Sequence, residues 1–197
     1  MTLTEARSAT IARATKETDI SGSVTIDGTG ASQIETGIGF LDHMLTALSK
    51  HSEMDIVLRC KGDLHIDDHH TSEDCALALG KAIDEALGDR AGITRFGSSY
   101  APLDESLARV VVDFSGRAHA TVELCFTRAM VGTIATENLT HFFESLASAA
   151  RMTLHVDLIR GSNDHHKAEA AFKALALSLK AAVKRTGGDV PSTKGVL

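Results

Sequence analysis

Two stretches decide how this chain is read: HIDDHHTSED, residues 65–74, and NDHHKAEAAF, residues 163–172. Each holds a DHH triplet and a glutamate, Glu73 or Glu169, four residues after the first histidine of the pair. One such cluster would read equally well as a polar loop at the start of a helix. Two copies almost a hundred residues apart call for a common cause.

The flanking sequence supplies that cause. Residues 9–18 and 20–28 alternate apolar and polar side chains and read as two strands, with DGTG, residues 27–30, closing the hairpin. In GFLDHMLTALSKHS, residues 39–52, Phe40, Leu41, Met44, Leu45 and Leu48 recur at helical spacing. DIVLRCKG, residues 55–62, is a strand, and residues 71–88 form a second helix ended by Gly88. The order then repeats. Residues 109–126 hold two strands joined by SGR, residues 136–151 a helix, 153–161 a strand and 167–185 a long helix. Both halves read strand, strand, helix, strand, helix, with His43 matching His141, His69-His70 matching His165-His166, and Glu73 matching Glu169. An internal duplication is the simplest account. Neither half can bury its helix faces alone, so the expectation is one α+β domain over residues 1–197. Its two repeats, about 9–92 and 93–190, would be related by a pseudo-twofold axis.

The repeated residues suit a metal. Residues i and i+4 share a helix face, so His69 with Glu73, and His165 with Glu169, can each close on one cation. Adjacent histidines point about 100° apart on a helix, so His70 and His166 should serve a different ion from their neighbours. With His43 and His141 added, the set is six histidines and two glutamates, or three imidazoles and one carboxylate per metal. No thiolate belongs to it, and mixed imidazole and carboxylate ligation suits Mn, Fe, Co or Zn. Asp42, Asp67, Asp68 and Asp164 adjoin the ligands and are candidates to hold second imidazole nitrogens. His51, His119 and His155 read as ordinary surface or core residues.

Composition limits the alternatives. A net charge of −6 and a single tyrosine give nucleic acid neither electrostatic nor stacking support. No apolar run approaches a membrane span and the N-terminus lacks an apolar signal region, so no membrane partner is expected. Three scattered cysteines, Cys60, Cys75 and Cys125, fit free thiols in a reducing compartment, and the cytoplasm is the expected address.

The motifs GIGFLDHML, GDLHIDDHHTSED, GITRFG, APLDE, DFSGRA, NDHHKAEAAFKALA and PSTKGVL resemble those of imidazoleglycerol-phosphate dehydratases of histidine biosynthesis, over about residues 13–197. The resemblance implies a duplicated α+β fold, two Mn²⁺ per active site and a homo-oligomer, a 24-subunit shell built from trimers with sites at subunit interfaces. It implies the eight metal ligands His43, His69, His70, Glu73, His141, His165, His166 and Glu169, an acid/base role for Glu17, and phosphate binding by Arg95, Arg117, Ser192 and Lys194. The tail, residues 191–197, would close the site. Without the resemblance, Glu17 reads as an exposed strand acid and the cationic residues as solvated charges in turns. One departure is Ala47, where the family often carries a glutamine near the substrate.

The implied reaction removes water from D-erythro-imidazole glycerol phosphate to give imidazole acetol phosphate. The proton lost is barely acidic, because no carbonyl adjoins its carbon. Metal-bound imidazolate could expel the hydroxyl next to the ring, and the resulting diazafulvene-like species would let Glu17 take the proton. A metallohydrolase using the same ligands, or a metal-binding protein without catalysis, are the competing readings.

Overall fold

The computed structural model describes residues 6–195 and 197. The first half runs β1 (Ser8–Ala14), β2 (Thr18–Thr25), β3 (Ser32–Glu35), α1 (Gly39–Ser52), β4 (Asp55–Gly62) and α2 (His69–Leu87). The second runs β5 (Phe96–Leu103), β6 (Ser106–Asp113), β7 (His119–Glu123), the short pair β8 (Met130–Val131) and β9 (Ile134–Ala135), α3 (Thr136–Ala149), β10 (Thr153–Arg160) and α4 (Asp164–Ala182). Each half makes a four-stranded sheet of the same order, β1-β2-β4-β3 and β5-β6-β10-β7. In both, the last strand pairs parallel and the others antiparallel. The fold is mixed α+β, and exchanging the halves leaves the strand order unchanged.

Three local expectations need correction. Each half has three strands of its four-stranded sheet before its first helix, not two, and the second half adds the short pair β8 and β9. β3, SQIE, is short and its best side chain, Ile34, is only half-buried, so no alternation marks it. β5, FGSSYAPL, buries only Gly97 and Ala101. Small residues are required there because a Cβ at Gly97 would lie 1.9 Å from the Ser178 carbonyl oxygen of α4. Second, β1 and β2 turn at residues 15–17, where Thr15 N–H donates to the Thr18 carbonyl at 2.8 Å, so Glu17 lies in a turn rather than a strand. DGTG instead leads into β3, held by the Asp55 carboxylate, which accepts from Thr29 and Ala31 N–H at 2.7 and 2.8 Å. Third, β6 and β7 do not pair with each other, since β10 lies between them.

The helices form the layer that joins the halves, α1 against α4 and α2 against α3. Leu41, Met44, Leu45 and Leu48 of α1 are buried, as are Leu139, Phe142, Phe143 and Leu146 of α3 and Phe172, Leu175 and Leu179 of α4. The rings of Phe142, Phe143 and Phe172 meet at centroid separations of 4.7 to 6.3 Å. Burying a side chain of this size stabilises the fold by roughly 1.5–3 kcal/mol. Gly80 lets α2 approach α3 closely, since a Cβ there would lie 2.7 Å from the Leu146 carbonyl oxygen. This crossed packing sets the site, because it brings a helix of each half beside the DHH start of the other half's second helix.

Candidate metal centres

α2 and α4 begin with their histidine pairs. Asn163, the N-cap of α4, accepts from His165 N–H, and Asp67, one residue before the N-cap of α2, accepts from His69 N–H, both at 2.9 Å, so that the first turn of each helix presents the candidate ligands. The i, i+4 pairs close as expected, with His69 Nε2 3.7 Å from Glu73 Oε2 and His165 Nε2 3.3 Å from Glu169 Oε2. The third member of each cluster comes from the opposite half. His43 of α1 places Nε2 3.1 Å from Glu169 Oε2, and His141 of α3 places Nε2 3.5 Å from Glu73 Oε1. Two groups result, His43–His165–Glu169 and His69–Glu73–His141, each with donor atoms within 4.8 Å of one another. Imidazole nitrogens and a carboxylate oxygen converging at this spacing fit a first-row divalent cation.

The supports of the two groups differ. His69 Nδ1 bonds Asn138 Oδ1 at 2.9 Å, and Asn138 donates to Asp68 Oδ2 at 3.0 Å. His69 and His141 stack with centroids 5.2 Å apart. In the other group, Phe40 meets the His165 ring edge-on at 4.9 Å, and Lys173 Nζ lies 2.7 Å from Glu169 Oε1. Burial pushes the Glu169 carboxyl up, but the Lys173 ammonium and His43 outweigh it and hold the pKa down to about 2. Asp164 follows the same pattern. Burial raises its carboxyl, while Lys167 and the N–H groups of Arg128 and Thr127 hold it at about 2.

His70 and His166 lie outside both groups. His70 Nδ1 bonds Asp63 Oδ2 at 3.0 Å, and its Nε2 lies 3.6 Å from Glu17 Oε1 at the half-exposed turn of β1 and β2. His166 Nδ1 bonds Glu105 Oε2 at 2.7 Å, at the corresponding turn of β5 and β6. These bonds raise both imidazole pKa values, through Asp63 and Glu105 first. Of the aspartates considered as imidazole partners, Asp42 holds Thr36, Asp67 accepts from His69 N–H, Asp164 holds residues 127–128, and Asp68 reaches an imidazole only through Asn138. Asp63, Glu105, Asn138 and Lys173 were not read from the sequence. Aligning the TKET and APLDE turns of the two repeats would have marked Glu105, and the i+4 spacing from Glu169 would have marked Lys173.

The residues assigned to phosphate gather elsewhere. Arg95 has φ of 74°, and Asp113 takes its guanidinium fork at 2.6 and 3.1 Å. Its Nη1 donates to the Pro191 carbonyl at 2.9 Å, which brings the tail bearing Ser192 and Lys194 alongside. Arg117 is exposed in the loop after β6, and a Cβ on neighbouring Gly116 would lie 2.7 Å from the Leu197 carbonyl carbon. Arg95 N–H also donates to the Ala182 carbonyl at the far end of α4. From Glu169 to Ala182 the helix rises about 20 Å, so the cationic group and the metal groups occupy opposite ends of one chain. A groove of about 740 Å³ between β1 and α2 holds none of the candidate ligands.

The sequence profile described as imidazoleglycerol-phosphate dehydratase matches residues 36–179. An imidazoleglycerol-phosphate dehydratase of Phaffia rhodozyma is 58% identical over 197 aligned residues, covering 97% of this chain and 96% of the relative. One of Phytophthora nicotianae is 64% identical over 97% of this chain, which spans 42% of that longer protein. The crystal structure of the Staphylococcus aureus enzyme superposes with a TM-score of 0.82 at 38% identity, covering 91% of this chain and 99% of that one. The Pyrococcus furiosus structure gives the same TM-score and identity over 94% and 99%. Profile, relatives and fold agree that this chain belongs to the imidazoleglycerol-phosphate dehydratase family of histidine biosynthesis.

Proposed function

We propose that the chain is a metal-dependent lyase that dehydrates D-erythro-imidazole glycerol phosphate to imidazole acetol phosphate, with Mn²⁺ held by the two groups. The observation that carries this reading is the reciprocal pair of clusters, each two histidines and one glutamate. Two bound Mn²⁺ would supply Lewis acidity to the substrate imidazole and its departing hydroxyl. The chain's own residues do the rest. Glu17, exposed beside His70 Nε2, takes the carbon-bound proton. Arg95, Arg117, Ser192 and Lys194 hold the phosphate by charge-assisted hydrogen bonds.

The separation of these parts supports an oligomer. Each cluster has three ligands, while His70 and His166 stand apart from both. A substrate whose imidazole and phosphate are joined by a glycerol chain cannot span about 20 Å of helix. Each site would therefore join the clusters of one copy to the cationic tail and a remaining histidine of others, in the family's 24-subunit arrangement of trimers. Free Cys60, Cys75 and Cys125 support a cytoplasmic address. No helix among the described residues is long and apolar enough to cross a membrane.

The test is an assay of Mn²⁺-reconstituted protein with imidazole glycerol phosphate. The expected results are ketone product without free phosphate, and a drop in light-scattering mass on chelation that Mn²⁺ reverses. Stoichiometric release of inorganic phosphate would replace this reading with a hydrolase. Metal binding without turnover would leave a metal-binding protein.

A further inference from the structure

The duplication puts acids in the turn between the first two strands of each half, close to the second histidine of its DHH triplet: Glu17 in the first half, Asp104 and Glu105 in the second, where Asp104 Oδ2 lies 3.9 Å from His166 Nε2. The two glutamates are used differently. In the first half, His70 Nδ1 is held by Asp63, and Glu17 stays clear of that bond with Oε1 3.6 Å from Nε2. In the second half, the residue after the strand-ending glycine is Ser162 rather than an acid. Glu105 fills that vacancy from across the turn. Its Oε2 accepts from His166 Nδ1 at 2.7 Å, and its Oε1 accepts from Asn163 N–H at 2.8 Å and Ser162 N–H at 3.1 Å. Ser106 Oγ and Ser162 Oγ add further bonds at 3.1 and 3.3 Å. Asn163 is itself the cap that starts α4 by accepting from His165 N–H. Glu105 thus fastens both the helix entry and the His166 ring.

An ionised carboxylate only accepts hydrogen bonds. The proton of a neutral His166 must then sit on Nδ1, which leaves the Nε2 lone pair free to ligate. We infer that Glu105 is a positioning residue that fixes His166 as an Nε2 metal ligand, a task Asp63 performs for His70, so that Glu17 has no ring-orienting task while Glu105 does. This rests on the metal-dependent reading above.

Glu105→Gln separates the ring-orienting role from the scaffold. The amide oxygen can keep the Ser162 and Asn163 bonds, while the amide nitrogen then faces His166 Nδ1. His166 Nδ1 must now accept from the amide N–H, and the imidazole proton moves to Nε2. Long-range ¹H–¹⁵N spectra of metal-free, ¹⁵N-histidine-labelled protein, recorded above the His166 pKa, should show an Nδ1–H ring in wild type and an Nε2–H ring in the variant. In Mn²⁺ titrations, one class of site should weaken about 10- to 100-fold, the range for losing the partner of a ligating histidine, with the other class unchanged. A wild-type His166 protonated on Nε2 would overturn the inference, whether or not the variant folds. Equal Mn²⁺ affinity of the folded variant and wild type would also overturn it. If wild type bound no Mn²⁺ at all, the metal reading would fail, and the tautomer alone would decide the role of Glu105.

Discussion

At the start of α2, Asp68 accepts from Ala135 N–H and from Asn138, which in turn holds the His69 ring. At the start of α4, the equivalent Asp164 is buried against Lys167 Nζ at 2.7 Å and accepts from Thr127 and Arg128 N–H. The same triplet is thus supported by a neutral amide relay in one half and by a buried ion pair in the other. The glutamates differ as well, because Glu169 is 13% exposed and bound to Lys173, whereas Glu73 is 35% exposed and has Leu77 four residues on. Duplication therefore preserved the two clusters of two imidazoles and a carboxylate and let the groups behind them diverge. Ligand geometry is constrained by the ion, while many arrangements can hold an imidazole or close a helix end.

The largest effect should separate the two turn glutamates. Glu17→Gln is expected to lower kcat by about 10²- to 10⁴-fold, the usual contribution of a general base, while metal content stays at the wild-type level. Glu105→Gln should instead show itself first in metal affinity. A Glu17→Gln protein with near wild-type kcat would remove Glu17 from the proton transfer, and one that lost metal would place it among the ligands.

Next come the carboxylates. Glu73→Gln and Glu169→Gln should each lower the metal content of reconstituted protein from two per chain to about one, since each breaks a single i, i+4 chelate. Elemental analysis reads this directly. Loss of both ions from either variant would show that the two groups act as one unit.

The ion pair should be visible in stability. Lys167→Met leaves Asp164 buried without its cation and should destabilise the fold by about 3 kcal/mol, against about 1 kcal/mol for Asp68→Asn, which weakens hydrogen bonds only. The pH dependence follows from the Asp164 pKa of about 2. A depressed carboxyl contributes stability that is complete above its unfolded pKa of about 4 and is lost as pH falls towards 2, here about 2 kcal/mol. Urea midpoints of metal-free protein across that window should fall for wild type and be flatter for Asp164→Asn. Parallel curves would mean that the ion pair does not drive the acid response.

The smallest effect concerns Ala47, one turn after His43 in α1 and half-buried. Ala47→Gln restores the family's frequent side chain and should lower KM a few-fold, with kcat little changed, if a water now fills that place. A large change in kcat would show that the departure shapes the reacting geometry.

Much of this was legible in the residues themselves. α1 and β4 have the bounds that apolar spacing predicts, and the i, i+4 spacing of His69 with Glu73 and of His165 with Glu169 brought each pair together on one helix face. These are local properties, because helical periodicity places side chains on a face whatever lies opposite. Local periodicity carries no information about which faces meet. That His43 closes on Glu169 rather than on Glu73 follows from α1 packing against α4. That Gly97 marks a strand follows from the Ser178 carbonyl lying on it. That Glu105 holds His166 while Glu17 stands free depends on what the duplicated loops bring within about 3 Å of each ring. Sequence spacing determined the donors, and long-range packing decided their partners, because hydrogen bonds and ligation depend on distances that only the folded chain sets.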